Sequence, residues 1–154
     1  MNPSTAAIIV GIIWTTTGPV TVLSSPVDMW EVPKLKALAM IESGCNDFAK
    51  GKKGERSRYQ ILPSTWKEVS NKSFSSALYP QIASQAASCY LNRLSNRFYT
   101  TNLRRPSDLD LYVMWNWGFA KYERAEFKYE KVPAKVRDAA ERFSNLVYMY
   151  KQHN

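Results

Sequence analysis

The chain has 154 residues, of which 45% are hydrophobic and 22% are charged, and its formal net charge is +8. This length fits one domain with an ordinary buried core, and the composition excludes an intrinsically disordered protein. The positive charge favours contact with anionic polymers, namely nucleic acid, anionic lipid or the bacterial envelope, without choosing among them.

Two scarcities narrow the possible chemistry. The only histidine is His153, next to the C-terminus, which argues against a Ser-His-Asp or Cys-His catalytic system. Cys45 and Cys89 lie far apart in the chain and lack the spacing of metal ligands. What is left is mainly carboxylate chemistry, and we predict neither a metal nor a cofactor.

Residues 1–26 are predicted to be an export signal or an anchor-like segment. The apolar run 6–14 is too short to span a bilayer by itself, and Val22-Leu23-Ser24 is suited to cleavage after small residues. No Lys or Arg precedes the run, so a buried first helix or strand is the alternative. Residues 27–154 are predicted to form a single domain.

The first helix is predicted from the region of Pro33 to just before Gly44. Proline suits the first turn of a helix, and glycine suits the left-handed residue beyond its end. Glu42 falls in the last turn, on a face that is otherwise apolar. The apolar residues of that face are Leu35, Leu38 and Ala39.

A second, short helix is predicted after Pro63, where Thr65 and Glu68 have the spacing of a capping box. The preceding residues 54–62 could hold a short extended piece. A third helix is predicted from near Pro80, because apolar residues recur there at steps of three and four. They are Ala83, Ala87, Tyr90, Leu91, Leu94 and Phe98.

A fourth helix is predicted from Ser107, a good N-cap with Asp110 three residues later, toward Trp117, with Gly118 as its stop. The last helix carries one apolar stripe, formed by Val136, Ala140, Phe143, Leu146, Val147 and Tyr150. No segment shows sustained alternation of apolar and polar residues. The predicted fold class is therefore mainly α.

Glu42 is the candidate catalytic residue. Cleavage of a glycosidic bond requires protonation of the leaving oxygen, and a carboxylic acid can do this at neutral pH only if its pKa is raised. Burial among apolar residues and the partial negative charge of a helix C-terminus both disfavour the ionised form of Glu42. Taken alone, a glutamate near a helix end is more often solvated and structural.

Four segments, in order, add to this interpretation. Ile41-Glu42-Ser43-Gly44-Cys45-Asn46 resembles the Glu-Ser-x-x-Asn signature of the lytic transglycosylase and goose-type lysozyme superfamily. The stretch 54–65 resembles the Gly-x-x-Gly-x-x-Gln-x-x-Pro-x-Thr segment of that family. Met114-Trp115-Asn116-Trp117-Gly118 resembles its Ala-Tyr-Asn-Ala-Gly motif, and 141–146 is similar to its closing Arg-Val-x-Asn-Leu. The resemblance covers nearly everything from Leu35 to Tyr150.

The resemblance implies a lysozyme-like, two-lobed helical domain with a substrate cleft. It implies that Glu42 is the general acid and base, and that the bond between N-acetylmuramic acid and N-acetylglucosamine is cut without a cofactor. Ser43 would position the glycan or the acid. The other residues that it assigns to substrate binding are Tyr59, Gln60, Trp115, Asn116 and Trp117.

The number of carboxylates bears on the reaction. A hydrolase generally needs two, whereas members of this superfamily with one glutamate form a 1,6-anhydro product by intramolecular attack. Asp47 is expected to cap a loop, and Asp108 and Asp110 to begin a helix. Glu55, in the basic loop 50–58, is a possible second acid. We therefore favour transglycosylation over hydrolysis.

The sequence departs from the family pattern at three places. Ser57 stands where the second loop glycine belongs, which puts the turn in doubt. Ala139 stands where many members have a tyrosine that hydrogen-bonds the acid, and Tyr148 or Tyr112 could substitute for it. Cys45 and Cys89 could form a disulfide if the domain is exported, or both could be small buried hydrophobic residues.

The favoured hypothesis is an exported lytic transglycosylase that acts as a monomer on peptidoglycan glycan strands. It would bind no nucleic acid and would not insert stably into a membrane after processing. The alternatives are a muramidase of the same fold, a catalytically silent peptidoglycan-binding protein, and a nucleic-acid-binding helical domain. The last would explain the charge but leaves the ordered motifs unexplained.

Overall fold

The computed structural model describes residues 32–153, and the predicted export signal at 1–26 lies outside them. This part of the chain contains six α-helices: α1 Val32–Ser43, α2 Pro63–Val69, α3 Pro80–Asn102, α4 Asp108–Val113, α5 Phe119–Arg124 and α6 Ala134–Gln152. A π-helical segment, Met114–Gly118, joins α4 to α5. Short 3-10 helices lie at Phe74–Leu78 and Tyr129–Lys131.

Extended structure in the described residues is limited to single bridges. Arg56 forms one antiparallel bridge with Lys50 and another with Ile61, and both lie in the loop between α1 and α2. The predicted short extended piece is thus a bridged loop. The mainly α fold class is confirmed.

The first helix lies at the centre of the core. It packs against α6 and α3, and α4 packs against α6 on the same side. Nearly every residue of its first two turns is buried, as expected of a helix enclosed by others rather than lying on a surface. The largest fully buried side chains include Leu38, Trp66, Phe98, Tyr122 and Phe143. The backbone that leads to Glu42 is therefore held firmly.

The fourth helix begins as predicted. Ser107 is its N-cap and accepts a hydrogen bond from the Asp110 N–H at 3.1 Å, while the Asp110 side chain accepts from the Ser107 N–H at 2.9 Å. The helix breaks at Gly118, where φ is +96°, and α5 begins at the next residue. The helix is not regular between α4 and α5, because the segment that carries Asn116 is π-helical.

The capping box predicted for the second helix is wrong. The N-cap of α2 is Leu62, which makes no side-chain cap, and Thr65 lies inside the helix. Pro63 occupies the first helical position. Because proline has no N–H, it leaves one fewer donor for a cap to satisfy.

Both interpretations of the cysteines are wrong. Cys45 and Cys89 are free, and both are exposed. Cys45 lies in the turn after α1 at φ +65°, and Cys89 lies on the outer side of α3. Neither position is enclosed enough to bury a thiol.

None of the helices in residues 32–153 combines the length and the hydropathy that a membrane span requires.

Candidate active site

The end of α1 places Glu42. Gly44 and the following Cys45 both have left-handed backbones, with φ of +62° and +65°. The Gly44 N–H still donates to the Met40 carbonyl at 3.0 Å, so the last turn closes before the chain leaves the helix. Glu42 lies in that turn, as predicted, and its side chain is mostly buried.

Ser43 connects this helix to the next loop. Its hydroxyl donates to the Arg58 carbonyl at 2.9 Å and accepts from the Asn46 N–H at 3.0 Å. Of the two roles expected for Ser43, these contacts favour positioning of the acid. Its contact with glycan stays a prediction.

The loop between α1 and α2 keeps a glycine-like turn without the glycine. Ser57 is fully buried and has φ of +70°, a conformation that a serine adopts at a cost. Its hydroxyl accepts from the Tyr59 N–H at 3.3 Å, which offsets part of that cost. The turn therefore forms with Ser57 in place of glycine and brings Gln60 to the pocket, while the glycan contacts of this loop stay a prediction.

An ion pair closes the same loop. Arg58 Nη2 donates to Asp47 Oδ2 at 2.7 Å, and both side chains are partly buried. Asp47 was expected to cap a loop, but that role falls to Asn46, whose Oδ1 accepts from the Phe48 N–H at 2.9 Å. Asp47 instead holds the side chain of Arg58.

The π-helical segment carries Trp115, Asn116 and Trp117. π-Helical turns are rare and are frequent at functional sites. Trp115 is half-buried and packs edge-on against Tyr90, with ring centroids 5.4 Å apart. Trp117 is also half-buried, and both tryptophans pack against the hydrophobic core.

These elements enclose one pocket of about 230 Å³ at the end of α1. Four of the predicted site residues line it together: Glu42, Gln60, Trp115 and Asn116. The remaining lining residues are Lys53, Glu55 and Leu62. The sequence motifs of α1, the loop and the π-helical segment therefore meet at one place.

Three predicted site residues do not line this pocket: Ser43, whose contacts are given above, Tyr59 and Trp117. Tyr59 is buried, and its hydroxyl is 2.9 Å from the Ser84 hydroxyl on α3. It lines a separate apolar pocket with residues of α1 such as Leu35. Trp117 is not among the residues that line the pocket of Glu42. Substrate contacts of Tyr59 and Trp117 stay predictions.

The pKa of Glu42 is raised from its ordinary value of 4.5 to about 7. Desolvation by burial is the main cause, and the negative charge of Glu55 adds to it. Hydrogen bonding with Tyr112 and Asn116 acts in the opposite direction. Glu42 Oε1 is buried and has no hydrogen-bond partner among residues 32–153, which further disfavours the anion.

Tyr112 is the tyrosine beside the acid. It is buried in α4 and stacks at a tilt on Phe143 of α6, with ring centroids 5.3 Å apart. Burial raises its own pKa well above the ordinary value, and the neighbouring charge of Glu42 adds to this, so the phenol stays protonated. Tyr148, the other candidate, is 67% exposed. Of the two candidates, Tyr112 is therefore the tyrosine that interacts with Glu42.

Lys53 and Leu62 were not predicted as site residues, and Tyr112 was predicted only as one of two possible substitutes for the family tyrosine. Tyr112 had a usable signal, because it precedes Asn116 by four residues and such residues share a helix face. Leu62 follows Gln60 by two residues, which in extended chain points to the same side. Lys53 had no comparable signal, since its position depends on the loop.

A larger pocket, of about 560 Å³, lies between α2 and α3. Its single carboxylate is that of the exposed Glu68, which pairs with Arg93. The residues that line this pocket include no buried carboxyl group, which a general acid at neutral pH requires. The smaller pocket of Glu42 is therefore the candidate active site.

Within residues 32–153, no three His, Cys, Asp or Glu side chains lie close enough together to hold a metal ion.

Comparison with known proteins agrees with this geometry. Neither a search of curated proteins nor a search of solved structures gave a match. A model of one protein family, the Transglycosylase SLT domain, matches residues 27–137 and so includes α1, the loop, the π-helical segment and the start of α6. Membership of this family supports cleavage of peptidoglycan by a lytic transglycosylase and agrees with the all-α, lysozyme-like fold. The match spans well over half of the chain, and the protein belongs to the transglycosylase SLT domain family.

Proposed function

We propose that this protein is a peptidoglycan lytic transglycosylase that cleaves the β-1,4 bond between N-acetylmuramic acid and N-acetylglucosamine. The observation that carries the proposal is a buried Glu42 with a pKa of about 7, in a pocket shared with Gln60, Trp115 and Asn116. An acid with that pKa is protonated in about half of the molecules at neutral pH. It can both give and take a proton there.

The proposed reaction needs one carboxyl group that acts twice. Glu42 donates its proton to the glycosidic oxygen, and the bond between that oxygen and the anomeric carbon of the muramyl sugar breaks. The 6-hydroxyl of the same sugar then attacks the anomeric carbon, and ionised Glu42 takes up the hydroxyl proton. The product is 1,6-anhydro-N-acetylmuramic acid, and Glu42 returns to its protonated form.

Other lining residues are proposed to hold the glycan. The Gln60 and Asn116 amides can hydrogen-bond acetamido and hydroxyl groups, and the Trp115 ring offers an apolar face to a sugar. Tyr112 donates to Glu42 and orients it. Tyr59, Ser43 and Trp117 support the site from outside the pocket.

The partner that follows is the glycan strand of peptidoglycan, and the protein is proposed to act on it as a monomer and without nucleic acid. Peptidoglycan lies outside the cytoplasmic membrane, so we propose that the chain is exported to the envelope or beyond. Cell fractionation with an antibody against the protein tests this. Recovery in the cytoplasm alone would contradict it.

Mass spectrometry of muropeptides tests the reaction. The full chain, incubated with purified sacculi, is expected to release products one water lighter than their reducing-end equivalents, and Glu42→Gln is expected to release none. Reducing ends would instead establish a hydrolytic muramidase, for which Glu55 in the same pocket is the specific observation. Binding to sacculi without release of any product would identify a silent binder.

A further inference from the structure

The candidate active site contains a second carboxylate besides that of Glu42. Glu55 lines the same pocket, together with Lys53 from its own turn and Asn116 from the π-helical segment. The single-glutamate reaction proposed above gives this residue no task. The inference that follows rests on the proposed function and adds a residue to it.

The turn around Glu55 holds its side chain in place. The Gly51 N–H donates to the Glu55 carbonyl at 3.0 Å, and the Gly54 N–H donates to the Gly51 carbonyl at 3.2 Å. The carboxylate itself is also held, because Glu55 Oε2 accepts from the Lys53 N–H at 2.7 Å. One oxygen is thus bound by the turn, and the carboxylate has a defined position.

Gly51 leaves room for this carboxylate. A Cβ atom at Gly51 would lie 2.2 Å from Glu55 Oε2 and 2.8 Å from Gln60 Oε1. Real side chains do not approach so closely. Any residue other than glycine would therefore displace the Glu55 carboxylate and disturb Gln60, which also lines the pocket.

Glu42 and Glu55 interact electrostatically. The charge of Glu55 is one of the causes that raise the pKa of Glu42. The other polar groups around Glu42 are Tyr112 from α4 and Asn116 from the π-helical segment, which lower that pKa, and Lys53 across the pocket. On α6, the positive charge of Arg142 acts to lower the pKa of Tyr112. Arg142 also forms an ion pair with Asp138.

We propose that Glu55 is a second catalytic carboxylate, which stabilises the positive charge that develops on the muramyl anomeric carbon while Glu42 protonates the leaving oxygen. Glu55 forms no bond and exchanges no proton in this step. The proton of Glu42 goes to the leaving oxygen, the 6-hydroxyl attacks, and its proton returns to Glu42. Glu55 acts by its charge alone, and the proton moves only between Glu42 and the sugar oxygens.

The test separates this charge from the structural role of Glu55. In Glu55→Gln the new amide oxygen can still accept from the Lys53 N–H, so the turn is kept and the charge is lost. We expect the rate of muropeptide release to fall by about 10- to 100-fold, with an unchanged Tm. We also expect the alkaline limb of the pH–rate profile to move to lower pH, because Glu42 then loses its proton more readily. Glu68→Gln is the matched control and should change neither quantity.

A second variant leaves both carboxylates in the chain. Gly51→Ala is expected to displace the Glu55 carboxylate and to reduce the rate as Glu55→Gln does. A wild-type rate and an unmoved alkaline limb in Glu55→Gln would overturn the proposal, even if Glu42→Gln is inactive and the proposed function stands.

A measurement that needs no turnover distinguishes failure of the Glu55 proposal from failure of the proposed function. The pKa of Glu42 can be followed by carbon NMR of its carboxyl group in the wild type, in Glu55→Gln and in Glu68→Gln. A lower pKa in Glu55→Gln alone supports the pairing even if the wild type cleaves no peptidoglycan. The same pKa in all three proteins would overturn it.

Discussion

Ser43 donates a hydrogen bond to the Arg58 carbonyl at 2.9 Å, and this bond joins the helix of Glu42 to the loop of Gln60. The two residues are 15 positions apart in the chain. Arg58 is held in turn by Asp47, so the contact belongs to a closed set of bonds around the loop. The geometry of the acid relative to the pocket depends on this connection.

The first prediction follows from it. Ser43→Ala removes the donor to Arg58 and the acceptor for Asn46, and we expect the free energy of unfolding to fall by about 1–2 kcal/mol. Because the loop then moves relative to Glu42, we expect the cleavage rate to fall by roughly 10-fold. Urea denaturation and muropeptide release measure the two effects. Ser144→Ala, on α6, is the control, and equal behaviour of the two variants would contradict the prediction.

The second prediction concerns Tyr112. Its hydroxyl lowers the pKa of Glu42, so Tyr112→Phe should raise that pKa further above its ordinary value. Cleavage requires protonated Glu42 at the start, and we therefore expect the alkaline limb of the pH–rate profile to move to higher pH. This direction is opposite to that expected for Glu55→Gln. Tyr148→Phe should leave the profile unchanged, and an unmoved limb in Tyr112→Phe would show that the tyrosine does not act on the acid.

The third prediction links Glu42 to stability. With its pKa raised from 4.5 to about 7, the folded protein binds a proton at Glu42 more tightly than the unfolded chain does. The stability that this contributes is complete below the unfolded pKa and is lost as pH rises through the folded pKa. The loss is about 3 kcal/mol, as an order of magnitude. Glu42→Gln avoids it, since an amide carries no charge to bury.

Urea denaturation at two pH values checks this expectation. At pH 8 we expect Glu42→Gln to be more stable than the wild type, and at pH 4 we expect the two to agree closely. The exposed Glu141→Gln should show no such pH dependence. A difference of equal size at both pH values would mean that packing, and not charge, separates the variant from the wild type.

The fourth prediction concerns the start of α4. Asp110 is 5% exposed and accepts hydrogen bonds from Arg104 at 2.9 Å and from Tyr122 at 2.7 Å, besides those of the capping box. Burial acts to raise its pKa, but these bonds outweigh burial and lower it. Asp110→Asn leaves Arg104 and Tyr122 with an impaired partner, and we expect a loss of about 3 kcal/mol at pH 7.

The sign of its pH dependence is opposite to that of Glu42. A lowered pKa stabilises the fold above the unfolded pKa, and this stabilisation disappears as pH falls through the folded pKa. The difference between Asp110→Asn and the wild type should therefore shrink below about pH 4. Thermal unfolding across this range measures it. The exposed Asp138→Asn serves as control and should lose little at any pH.

Local patterns predicted the helices well where periodicity or capping chemistry acts within a few residues. The apolar stripe of α3, the capping box at Ser107 and the left-handed Gly44 are confirmed. The box assigned to Thr65 and Glu68 was wrong, because Pro63 can begin a helix without a side-chain cap. Spacing alone did not reveal which start the chain uses.

Long-range packing decided what local patterns left open. Ala139 stands where the family tyrosine was expected, and the sequence left both Tyr112 and Tyr148 as possible replacements. The packing of α4 against α6 buries Tyr112 and leaves Tyr148 exposed. The cysteines are a similar case, because their exposure depends on the turn after α1 and on the outer side of α3.

The sequence by itself determined the helical fold and the family, and it predicted Glu42 as the candidate acid, because these follow from short-range periodicity and from ordered motifs along the chain. Only the tertiary structure decided that Glu42, Glu55, Gln60 and Asn116 share one pocket, while Tyr59 and Trp117 lie outside it. The physical reason is that burial and charge–charge distance are properties of the packed molecule. The pKa of Glu42 depends on both, and neither can be read from spacing in the chain.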